Sequence, residues 1–283
     1  MANETTTTTL TELIQASIGE ARITETAGVD LSTIITQRPL EEGKGSATFP
    51  RYDFENMAAV AEATDLTNTA FDTTAVTITP GEKGLMTTLT DKAKRASGGM
   101  QAAIDIGRVM GEAYKRIKTT EIYALFDGFS NTLGTTNVNI TEALIIAGVS
   151  QLRARRAPGP YYMPVTPYVL ADLLGLYSSN TNTTAASILE SAQVTGVLPM
   201  IHGVIPVMVD LNTGTGTGEA EEADTKTAIF SPQALGFVSE WDFRIETQRD
   251  ASLRADELVA TSSFGVGELV DAFGVELLVD NKD

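Results

Sequence analysis

The chain has 283 residues, 42% of them hydrophobic and 20% charged, enough apolar material for one large folded domain or two modest ones. Against 37 Asp and Glu there are only 20 Lys and Arg, a net charge of −17, so the surface repels polyanions and lacks the clustered cations that hold nucleic-acid phosphate. Cysteine is absent, which removes disulfides, thiolate nucleophiles and cysteine metal sites together and fits a reducing compartment.

Residues 1–37 read as a polar, threonine-rich arm. Its start, Met1-Ala2-Asn3-Glu4, lacks the basic patch and apolar stretch of a signal peptide, and no apolar run approaches the roughly 18 residues of a membrane span. A soluble chain without membrane contact is expected. Leu10, Leu13, Ile14 and Ile18 recur at helical spacing, so one short amphipathic helix is predicted within the arm. So little apolar surface needs something to lie on.

Residues 38–92 read as extended. Ala75-Val76-Thr77-Ile78-Thr79 alternates apolar residues with threonine. Pro80-Gly81-Glu82-Lys83-Gly84 is turn chemistry, and Leu85 to Thr90 reads as the return strand of a long hairpin. A two-stranded ribbon with few large apolar side chains is marginal alone and needs a partner surface.

The strongest periodic signal is a helix over 98–128, with Ser97 as N-cap and Gly128 as terminator. Met100, Ala103, Ile104, Gly107, Met110, Gly111, Tyr114, Ile117, Ala124 and Leu125 mark its apolar stripe. At about 1.5 Å per residue it would run roughly 45 Å.

From 138 to 226 helices and strands alternate. Thr141 opens a helix that Arg153, Arg155 and Arg156 close, where cations suit the negative helix end. Tyr161-Tyr162-Met163 is a predicted strand, Thr166-Pro167 starts another helix, and 185–193 is a third. Gly203 to Val209 is a buried strand, and Gly214-Thr215-Gly216-Thr217-Gly218 an exposed loop. The last 55 residues are nearly all strand: Trp241, Phe243, Ile245 and Thr247 alternate with Asp242, Arg244, Glu246 and Gln248. Leu258, Ala260, Ser262 and Phe264, then Phe273, Val275, Leu277 and Val279, extend the pattern into an antiparallel sheet with one buried face.

Catalytic chemistry does not emerge. The single histidine, His202, supplies neither a histidine-rich metal site nor a triad with a nucleophile elbow, and a hydrogen-bonded histidine at the start of a strand is expected. The Gly214–Gly218 run lacks the lysine and following helix of a phosphate loop and is followed by Glu219, Glu221 and Glu222. The carboxylate pairs Glu41-Glu42 and Glu221-Glu222 lie in polar sequence without the burial that raises a catalytic pKa. No catalytic residue, cofactor or metal is expected. For the arginine cluster the favoured reading is a helix end salt-bridged to an acidic neighbour; the alternatives are a small nucleic-acid patch or contact with a neighbouring subunit's carboxylates.

In its order of elements the chain resembles the Hong Kong 97-type major capsid proteins of tailed phages, an α+β fold. The likeness is carried by Leu89-Thr90-Asp91-Lys92-Ala93 leading into the long helix, by Gly203-Val204-Ile205-Pro206-Val207-Met208-Val209, by the run Glu246 to Glu257, and by Phe264-Gly265-Val266-Gly267 followed by Phe273-Gly274-Val275. It covers nearly the whole chain through its ordered combination rather than one motif. The resemblance implies an N-terminal arm at 1–37, an extended E-loop hairpin at 38–92, and the peripheral domain with its spine helix at 93–135. An axial domain at 136–226 and a peripheral-domain antiparallel sheet at 227–283 follow.

It further implies assembly, not catalysis: hexamers and pentamers forming an icosahedral head shell around packaged double-stranded DNA that is held weakly or not at all. A separate scaffolding protein, a portal and a decoration protein would be partners, with assembly in the host cytoplasm and final location in the virion. Lys44, Phe49, Arg51, Tyr52, Phe71, Lys83, Arg153, Arg155 and Arg156 are the candidate inter-subunit contacts. Some members of the family join a lysine to an asparagine. Lys44 and Lys83 lie in the right region and Asn281 near the C-terminus, but no motif matches, so no cross-link is expected. Rival readings are an encapsulin-type compartment shell, a tail-tube or fibre subunit, and a carboxylate hydrolase.

Overall fold

The computed structural model describes residues 30–52, 57, 59–60, 62, 65, 73–96, 100–135, 138–178, 200–209 and 225–280. The expected arm helix, the helix at 185–193, the Gly214–Gly218 loop, Ser97, Phe71 and Asn281 lie outside the described residues.

The described chain opens on a short 3-10 turn, Leu31–Ile34, capped by Asp30, whose Oδ1 accepts from the Ser32 amide at 2.9 Å. Strands β1 (Thr36–Pro39), β2 (Ala47–Tyr52), β3 (Thr73–Ile78) and β4 (Gly81–Thr90) follow. Helix α1 (Asp91–Ala96) leads to the long helix α2 (Met100–Ala124). Next come β5 (Thr132–Gly134), α3 (Glu142–Ala154), β6 (Tyr161–Val165), α4 (Pro167–Ser178) and β7 (Val204–Met208). The chain closes with β8 (Thr225–Phe230), the long strands β9 (Leu235–Asp250) and β10 (Ala255–Glu268), and β11 (Gly274–Val279).

Among the described residues the strands form three sheets. One has the order β1-β9-β10-β4, another β5-β11-β8-β6-β7, and the third is the β2-β3 ribbon. Two local expectations fail here. The hairpin predicted across Pro80 does not form: β3 pairs with β2, while β4 pairs antiparallel with β10, Leu85 opposite Ala260. The crossover between them lies directly on β10. A Cβ on Gly265 would stand 2.8 Å from the Thr79 carbonyl oxygen, and only glycine admits that approach.

The strands from residue 225 onward likewise divide between sheets. β9 and β10 carry the expected alternation, whereas β8 and β11 are central strands of the five-stranded sheet, buried on both faces. The strand pairing therefore crosses residue 226, joining β8 and β11 to β5, β6 and β7.

Capping chemistry explains the helices. The Thr141 hydroxyl accepts from the Leu144 amide at 3.3 Å and starts α3; the Thr166 hydroxyl accepts from Val169 at 3.4 Å and starts α4, with Pro167 in the first position. Helix α2, about 37 Å long, packs Met110 with Ile245, Leu258 and Ala260. Beyond Tyr114 its buried face departs from the predicted stripe: Ile117 and Ala124 are exposed, while Lys118 and Ile122 are buried. The cause is tertiary, because α2 leaves the four-stranded sheet there and rests on the turn around Leu31. The main core runs from that turn through Phe126, Ile145, Leu152 and Val169 to Phe230 and Val275.

Candidate assembly surfaces

The β2–β3 ribbon packs on the four-stranded sheet at its base. There Ala47 and Ile78 bury against Val238, with Phe49 and Val76 half-buried beside them. Phe49 sits opposite Val76, and the Arg38 guanidinium lies 5.9 Å over the Phe49 ring while donating to the Thr48 carbonyl at 2.6 Å. Farther out Arg51, Thr73, Thr74 and Ala75 are exposed, and Tyr52 ends the ribbon opposite Thr73. Lys44, at the approach to β2, is exposed and pairs with Glu41. Lys83 does not belong to the ribbon. It sits in β4, pairs with Glu121 of α2 and lies 5.7 Å over the Phe264 ring.

Between β4 and α2 opens a cleft of about 300 Å³ lined by Leu85, Met110, Tyr114, Ile117, Phe243 and Ala260, among others. Its rim carries exposed apolar groups, Leu85 and Ile117, and Val109 on the same helix is 61% exposed. Sequence reasoning missed this cleft because it depends on β4 pairing with β10.

Two charge clusters fix these elements. At the far end of the four-stranded sheet, both Arg249 Nη atoms meet the Asp91 carboxylate at 2.7 Å. Arg249 also donates to Asp256 at 3.0 Å, and Lys94 pairs with the other Asp256 oxygen. The Arg249 hydrogen bonds hold the Asp91 carboxyl below its ordinary range, while burial lowers the Lys94 ammonium. The Asp250 carboxylate accepts from the Ser252 hydroxyl and from the amides of Ser252 and Leu253, which lowers its pKa and closes the β9–β10 turn.

The second cluster roots the start of the described chain. The Lys118 ammonium is buried, donates to Asp30 at 2.5 Å and lies 4.4 Å over the Tyr114 ring. Burial pushes the Asp30 carboxyl up, but the hydrogen bond and charge of Lys118, with help from Ser32, outweigh it and leave the group below its ordinary value. A lysine on an apolar stripe carries no sequence mark of burial, so this pair was not foreseen.

The arginine cluster closes α3 as expected, but its partners differ. Arg155 donates to the Asn131 side chain, and among the described residues none of the three arginines is ion-paired to a carboxylate. The expected salt bridge is thus replaced by an amide, since the turn brings Asn131 rather than an acid beside the guanidinium. Arg156 takes a left-handed backbone, φ 60°. His202 is hydrogen-bonded at the start of β7, as anticipated, its Nε2 2.7 Å from Glu142 Oε1.

Near the C-terminal end of β11, burial raises the Asp172 carboxyl, and the nearby Asp280 adds to this. Asn139 donates to Asp172 at 3.1 Å, and the cleft they line is about 270 Å³. Two carboxylates with one amide provide no nucleophile–base pair. Among the described residues no group of three or more histidine or acidic side chains is placed to hold a metal ion. No described helix is long and apolar enough to cross a membrane.

No protein-family model and no curated protein matches the chain. Solved structures do. The capsid of Ralstonia phage GP4 is similar over 88% of this chain and 88% of its own, at 8% identity and a TM-score of 0.68. The acidic stable capsid of Helicobacter pylori bacteriophage KHP30 is similar over 90% and 92%, at 13% identity and a TM-score of 0.67. A virus-like particle from Pyrococcus furiosus matches over 94% of this chain and 99% of its own, at 12% identity and a TM-score of 0.61. The chain has the mixed α+β fold of phage capsid proteins.

Proposed function

We propose that the chain is the major capsid protein of a tailed phage, assembling as hexamers and pentamers into an icosahedral head shell that encloses double-stranded DNA. The observation that carries this reading is the extent of the fold likeness: the Ralstonia phage capsid matches 88% of this chain and 88% of its own, so the shared fold makes up the bulk of the chain. In this reading α2 is the spine helix, the four-stranded sheet belongs to the peripheral domain and the five-stranded sheet to the axial domain. The β2–β3 ribbon is the E-loop. Phe49, Arg51, Tyr52 and Phe71 reach a neighbouring subunit, which supplies the apolar surface the ribbon lacks.

Function then resides in surfaces, and the chain does no chemistry. Lys44 and Lys83 already pair with Glu41 and Glu121, which favours a shell without cross-links. An acidic wall leaves packaged DNA ungripped. A scaffolding protein, a portal and a decoration protein complete the particle, which forms in the host cytoplasm.

Negative-stain electron microscopy of the expressed protein, with sedimentation in parallel, tests the reading. Closed shells are expected; a stable monomer at all concentrations would sink it. A second reading, a compartment shell around a protein cargo, is favoured by the match over 99% of the virus-like particle chain. The contents of shells purified from the native source separate the two: DNA supports the head, and a single co-purifying enzyme supports the compartment.

A further inference from the structure

The corner where α3 ends beside β7 is basic in a chain of net charge −17. Arg153 and Arg156 are exposed there, and no described carboxylate pairs with either. Several cations elsewhere are neutralised within the chain: Lys83, Lys94, Lys118, Lys226 and Arg249 each meet an acid. Glu142 pairs with His202, next to Gly203 at the start of β7.

The corner is also built. Arg155 is held inward by Asn131, which fixes the turn that presents its two neighbours. Arg156 occupies a left-handed backbone that a non-glycine residue adopts at a cost. Gly203, at φ +91°, lies under the Arg153 guanidinium: a Cβ there would stand 3.2 Å from Nη2. The patch adjoins β7, an edge strand of the five-stranded sheet.

We propose that Arg153 and Arg156 form a docking corner for the carboxylates of a second copy of this chain. The inference rests on the shell reading above and deepens it. Copies carrying −17 each repel one another, and a basic corner on each turns that excess acid into attraction at one place and orientation. Nucleic acid is the poorer fit, because two exposed arginines without interleaved aromatics sit within a strongly acidic field.

Assembly of purified wild-type protein, Arg153→Gln/Arg156→Gln and Arg153→Glu/Arg156→Glu, followed by light scattering across a salt series, tests the proposal. The unassembled proteins are compared by circular dichroism and thermal melting. Charge reversal is expected to slow assembly roughly tenfold or more at low salt, with the neutral variant intermediate and the difference shrinking as salt rises. If the reversed variant fails to fold, the neutral one gives the same reading with a smaller effect.

A wild type that assembles, with variants that assemble at its rate and salt dependence, overturns this inference and leaves the shell reading standing. A wild type that never assembles overturns both. Binding of a labelled 30-base-pair duplex at low salt is measured alongside. Loss of duplex binding in variants that still assemble normally makes the corner a phosphate surface and overturns the proposal.

Discussion

Strands β3 and β8 are built from nearly the same residues. Thr73-Thr74-Ala75-Val76-Thr77-Ile78 forms one side of the ribbon, and Thr225-Lys226-Thr227-Ala228-Ile229-Phe230 crosses the five-stranded sheet. In β8 every residue but Lys226 is buried, whereas in β3 only Ile78 is. Strand propensity is the same in both, so the difference comes from what surrounds them. β8 lies between β11 and β6 under α3, with Phe230 5.6 Å from Phe126. β3 pairs only with β2 among the described strands, and its Ile78 packs on β9, against Val238. One strand lies inside the main core, and the other, among the described residues, is mostly exposed.

Phe230→Ala tests the complete side of that comparison and carries the largest expected effect. Removing a fully buried ring from the main cluster should cost about 4 kcal/mol in urea unfolding. A loss under about 1 kcal/mol would mean the five-stranded sheet is not the centre of stability.

Lys118→Ala comes next, at about 3 kcal/mol, because it strands the partly buried Asp30 carboxylate. Acid sharpens this result. Asp30 titrates below its ordinary 3.8 in the folded chain, so its contribution is present above that pH and fades as pH falls toward the lower folded value. The gap between wild type and Lys118→Ala should therefore narrow between neutral pH and pH of about 3. A gap of constant size would show that lost packing, not the ion pair, causes the effect.

Phe49→Ala in the ribbon carries the smallest effect on the subunit, under about 1 kcal/mol, since the ring is only half-buried. Its effect on assembly should be far larger, read as the fraction of protein in sedimenting particles. Equal loss in both measurements would place the ribbon within the subunit's own core and erase the contrast with β8.

Element types were legible wherever a local rule sufficed. Thr141 and Thr166-Pro167 mark helix starts, α2 announces itself through its apolar period, and Trp241 to Gln248 alternates as one half-buried strand must. That β2, β3 and β4 are extended and that the arginines close a helix were legible for the same reason: charge and poverty of apolar side chains are read directly from residues. The tertiary structure alone decided that β4 joins β10 instead of folding back on β3, and that β8 and β11 leave the C-terminal hairpin for another sheet. It alone decided that Lys118 goes inside and that a cleft opens beside Tyr114. Capping and periodicity act over a few residues and are written in the chain. Strand partnership is chosen among many segments with the same pattern, by whichever arrangement buries their faces together and satisfies their backbone groups.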